Sequence, residues 1–161
     1  MSDKADFNAD EWDLLRSAPV MASLLVVAAS PSGPVGLVQE TTAAGRVILQ
    51  TPETAQTPLL RTLSADVMQT MAIPKPPPGA TPEKVQEAAA EILRRTSALL
   101  STKATPEEAS EVKAWLAKIA QATAEAAKEG GFLGFGGVSV SDEEKTALGM
   151  VDAALSLGVA Q

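Results

Sequence analysis

Apolar residues recur every three or four positions along most of the chain, the spacing that puts side chains on one face of an α-helix. In "TPEKVQEAAAEILRRTSALLSTK", Val85, Ala88, Ala89, Ile92, Leu99 and Leu100 share a face, with charges opposite. In "TPEEASEVKAWLAKIAQATAEAAKE", Val112, Trp115, Leu116 and Ile119 occupy i, i+3, i+4 and i+7, a single core-facing stripe. Shorter stripes are Leu60, Leu63, Val67 and Met71 after "TPLL", and Leu148, Val151 and Leu155 near the end. The run "APVMASLLVVAA", Ala18 to Ala29, has no polar face, which predicts a helix buried on several sides.

Start signals coincide with these periods. Thr57, Thr81 and Thr105 each precede a proline, pairing a capping hydroxyl with a residue whose φ suits the first helical position. Thr105 with Glu108, Ser141 with Glu144 and Asn8 with Glu11 have capping-box spacing, although the strict Ser/Thr form holds only for the first two. Asp142, Glu143 and Glu144 are read first as helix-start chemistry. β-branched and aromatic alternation is limited to "VSVS", with "GRVILQ" ambiguous. The pattern predicts an all-α fold, a single-domain helical bundle of about six or seven helices spanning residues 1–161.

The run "AIPKPPPGATP" interrupts any helix and predicts a semi-rigid connector over 72–82, separating halves at 1–71 and 83–161. Laid over one another at an offset of 98 (131 − 33 = 98), the halves bring Gly33 onto Gly131 and Gly36 onto Gly134. The same offset sets the apolar run beginning at Ala18 against Leu116 to Ala127. This suggests a diverged duplication of a helix, Gly-x-x-Gly turn, helix unit; two helices that each stop at glycine would look similar.

Composition narrows the chemistry. With 13 basic and 20 acidic residues the net charge is −7, which repels nucleic-acid phosphates and anionic lipid. Histidine and cysteine are absent, which removes disulfides, thiolate chemistry, the usual zinc sites and the commonest general base. The acidic opening "MSDKADFNADEWDLL" lacks the progression of a secretory signal, and the twelve-residue apolar run falls short of the roughly 20 that cross a bilayer. The expectation is a cytoplasmic, soluble chain with neither nucleic-acid nor membrane partners.

The segment "EGGFLGFGGVSVSDEE" concentrates Phe132, Leu133 and Phe135 among glycines that include Gly131 and Gly134. Glycine permits a turn there, and the apolar side chains read first as packed inward, next as a docking or self-association surface and last as a ligand site. A phosphate loop would need a preceding strand and a following Gly-Lys-Ser/Thr, and neither is present. No bound cofactor is expected. A weaker possibility is a divalent cation on Glu40, Asp142, Glu143 and Glu144, since carboxylates suit calcium or magnesium, but no D-x-D-x-D-G loop supports it. Trp12 and Trp115 read as core anchors whose indole N–H reaches a carbonyl. Arg94 and Arg95 read as solvated, or paired with Glu91.

In its E-W-x-x-L entry, "PSGPVG" turn and "AKEGGFLGFGG" loop, the chain resembles a family of small, uncharacterised bacterial helical proteins over about 64 of its 161 residues. The resemblance implies a helical fold and no particular activity. "VSDEE", Val140 to Glu144, is also similar to tellurite-resistance B-like helical proteins, which implies metal and stress associations. The acidic A-D-G turn of those proteins is replaced here by "ASPSG" and "AKEGG". Three classes follow in order: a non-enzymatic association module, self-pairing as a homo-oligomer or binding another protein; a small-molecule or divalent-cation binder; and, last, an enzyme working through carboxylates alone.

Overall fold

A computed structural model describes residues 2–29, 33–70, 78–129 and 141–156. A short 3-10 turn, Lys4–Asp6, leads into six α-helices: α1 (Ala9–Ala29), α2 (Gly33–Thr54), α3 (Pro58–Thr70), α4 (Pro82–Lys103), α5 (Pro106–Glu129) and α6 (Asp142–Ser156). No strand occurs among the described residues. The all-α expectation holds, and the ambiguous "GRVILQ" lies inside α2.

The helices start where the local chemistry satisfies their free amides. Asn8 and Glu11 exchange bonds of 2.8 and 2.9 Å, Thr105 and Glu108 bonds of 2.9 and 3.3 Å, and Ser141 and Glu144 bonds of 2.8 and 3.2 Å. Each pair settles two orphan donors reciprocally. The Thr81 hydroxyl accepts from the Lys84 amide at 3.4 Å, and Thr57 accepts from Leu60 at 3.3 Å. Before α4, Gly79 takes φ of +76°, a left-handed conformation that costs a glycine little.

Four local expectations change. Gly33 and Gly36 belong to the first turns of α2 rather than to a loop, consistent with Pro34, whose ring presets φ for a helical start. Glu40 sits well inside α2, not at a helix start. On α4 the buried line runs through Val85, Ala89, Leu93, Thr96, Ser97 and Leu100, whereas Ala88 is exposed. The twelve-residue apolar run does not stand alone but continues the helix from Ala9 through Pro19, and the resulting α1 is long and apolar enough to cross a membrane by length and composition. In the fold, half of that apolar window is buried.

The core is continuous across the proline connector. α1 packs most extensively on α4 and α2 on α5, both pairings between the two sequence halves, and α1 also lies on α5. Leu15, Leu25, Leu63, Leu93, Leu116 and Ile119 are fully enclosed. Small buried residues, among them Ala18, Ala22, Ala89, Ala120 and Ala124, let the helix axes approach closely. Where α1 meets α5, the Ser23 and Thr123 hydroxyls lie 3.1 Å apart. Ser97 of α4 donates to the Leu155 carbonyl of α6 at 2.8 Å, pinning the end of that helix.

Candidate functional site

The densest grouping of charged and aromatic side chains lies where α1, α3 and the α4–α5 turn meet the segment before α1. Trp12 is buried in the first turns of α1, and its indole N–H donates to Asp66 of α3 at 2.8 Å. The same carboxylate oxygen receives Lys4 Nζ at 2.6 Å, and that ammonium stands 5.4 Å from the Trp12 ring centre. Phe7 packs at 5.8 Å from Trp12, tilted by 51°. Lys103 closes the far side, donating to Glu11 at 2.6 Å while lying 5.9 Å from the Phe7 ring.

These contacts keep carboxylates ionised. The Lys4 and Trp12 hydrogen bonds hold Asp66 below its ordinary value, and Lys103 with the Asn8 amide does the same for Glu11. At Glu108 burial pushes the pKa upward, but the Thr105 and Ser2 hydrogen bonds outweigh it and the net shift is down. Glu111 of α5 reaches across to accept from the Gln56 and Thr57 amides and the Thr57 hydroxyl, capping α3 from another helix. Arg94 pairs with Glu91 at 3.0 Å and Arg95 is exposed, as their sequence context suggests.

Of the residues singled out from sequence, Trp12 and Glu11 belong to this grouping, and none of the metal candidates is among its members. Gly131, Phe132, Leu133, Gly134 and Phe135 lie outside the described residues, as does Val140 of the "VSDEE" piece; Gly33 and Gly36 are placed in α2 by their backbone. Glu40 is buried and engaged within the fold. Asp142 is exposed, 3.8 Å from Lys145, Glu143 is exposed, and Glu144 is occupied by the Ser141 amide. Among the described residues no three acidic side chains gather as metal ligands would.

Asp66, Glu111, Lys4 and Lys103 drew no attention in the sequence because their partners lie 54 to 97 residues away. Only the helix-start letters of Glu108 and Glu11 signalled a role. The two tryptophans are core anchors, but among the described residues neither indole reaches a carbonyl: Trp12 finds a carboxylate, and buried Trp115 Nε1 has no hydrogen-bond partner there. Their substitutions should therefore differ. Trp12→Phe removes a charge-assisted bond and is expected to cost about 1–2 kcal/mol. Trp115→Phe removes a donor with no partner among the described residues, as well as some packing, and should cost less than half as much, measured by urea denaturation.

The chain matches no protein-family model, no curated protein and no solved structure.

Proposed function

We propose that this chain is a non-enzymatic helical module that works by protein association, pairing with a second copy of itself. The non-enzymatic part rests on a chain without histidine or cysteine, in which Glu11, Asp66 and Glu108 are engaged in helix-start and tertiary hydrogen bonds. A carboxyl group serving as general acid near neutral pH needs a raised pKa, whereas those of all three are lowered. Association is supported by the sequence between α5 and α6, which places Phe132, Leu133 and Phe135 among glycines.

A duplicated origin belongs to the same proposal. At the offset of 98 that superposes the two Gly-x-x-Gly runs, buried Ala18, Ala22 and Val26 of α1 fall on buried Leu116, Ala120 and Ala124 of α5, whereas the caps Asn8 and Thr105 stand one residue out of that register. The resemblance to small bacterial helical proteins is compatible with such a module, and the one to tellurite-resistance B-like proteins supplies the competing reading, a divalent-cation binder.

Sedimentation velocity across a wide concentration range tests the proposal on the parent chain and on Phe132→Ser with Phe135→Ser. A concentration-dependent dimer that the double variant loses, with an unchanged melt, is the expected result. A strictly monomeric parent overturns self-association. A variant that instead loses about 3–5 kcal/mol per site at constant mass places both rings in the core. Saturable heat on titration with calcium or magnesium would replace association by the cation reading.

A further inference from the structure

The segment Ser2–Phe7 is held mainly by polar contacts to three different parts of the bundle. Its Ser2 amide donates to Glu108 Oε1 at 2.7 Å and its Ser2 hydroxyl to the Lys103 carbonyl at 3.0 Å. Lys4 binds Asp66 of α3, and the Asp6 carbonyl accepts from Lys103 at 3.2 Å. Asp3 and Asp6 are turned inward on the segment itself, where they cap its 3-10 turn. Phe7 is its one large apolar anchor and joins the edge of the helical core through Trp12. The backbone at Phe7 is extended, with φ −110° and ψ 137°, so the helix of α1 does not run on into the segment.

We propose that Ser2–Phe7 is a strap clasped by carboxylates, which acid releases from the bundle to uncover Trp12 and the α4–α5 turn. The charged groups around it are Asp3, Lys4 and Asp6 on the strap, Glu11 and Arg16 on α1, Asp66 on α3, Lys103 on α4 and Glu108 on α5. Arg16 also pairs with exposed Asp13. The cations keep their charge through the acid range, so the clasp weakens only when carboxylates take up protons. Glu11, Asp66 and Glu108 all have lowered pKa values in the folded chain. Their support is complete above the ordinary carboxylate range and is lost as pH falls through those lowered values. Because Phe7 is the strap's one large apolar side chain and every other contact of the strap to the bundle is polar, its detachment is a local opening that leaves the six helices folded.

The test uses the full chain carrying Trp115→Phe, in which Trp12 is the remaining tryptophan and reports on the strap. As pH falls from 7 through the ordinary carboxylate range to about pH 1–2, its emission is expected to move to longer wavelength while far-UV helicity is retained. At neutral pH, Asp66→Asn and Lys4→Met should each speed hydrogen exchange at the Asp6 and Phe7 amides about tenfold, the order expected for losing a charge-assisted bond. Emission and helicity lost together in acid, or exchange unchanged in both variants, would overturn the proposal.

Discussion

Leu93→Ala is expected to destabilise the folded chain by about 3–4 kcal/mol, among the largest effects of any single substitution in it. Leu93 is 0% exposed in the middle of α4, the helix on which α1 packs most extensively. Truncation removes the transfer free energy of the side chain and leaves a cavity that flanking helices cannot fill without moving others. Ala88→Ser on the same helix is the matched control, expected to stay within about 0.5 kcal/mol because Ala88 faces solvent. Urea denaturation of both variants measures the difference. Equal effects would mean that α4 is rotated relative to the orientation described here.

Glu108→Ala carries the second large effect, about 2–4 kcal/mol at neutral pH, since it removes both the α5 capping box and the acceptor for Ser2. At 1% exposure, water has little access to the amides left behind. Glu108→Gln keeps an acceptor and should cost about half as much. The folded-state pKa of Glu108 is lowered, so its contribution is present above the ordinary glutamate value and disappears as pH falls through the lowered one. The gap between Glu108→Ala and the parent should accordingly narrow in acid, as chemical denaturation at neutral pH and near pH 3 would show.

Those two residues mark different degrees of legibility. Glu108 was visible as part of a Thr-x-x-Glu start because a capping box is local: donors and acceptors lie three residues apart and need only the first helical turn. Its bond to Ser2, 106 residues away, had no such signal. Leu93 was missed because apolar letters alone traced the α4 stripe through Ile92 and Leu99, while the buried line includes two polar residues, Thr96 and Ser97. Ser97 is buried because α6 supplies the Leu155 carbonyl as its partner, a fact of helix pairing rather than of hydrophobicity.

On α5 the stripe Val112, Trp115, Leu116 and Ile119 is buried as its period required. There the apolar letters and the covered face coincide, because α1 and α2 both pack against that helix. On α1, Pro19 forgoes one backbone donor, but tertiary burial on either side keeps the helix continuous.

By itself the sequence determined the helical class, the places where five of the six α-helices begin and the composition that withholds histidine and cysteine chemistry, all set by side-chain type and short-range spacing. Tertiary structure alone decided that α1 lies on α4 and α2 on α5, and that Asp66, Trp12 and Lys4 meet. It also left the Trp115 indole without a partner among the described residues. Local rules act within one or two helical turns, whereas these contacts depend on how whole helices pack, and packing is settled by the simultaneous fit of every buried face.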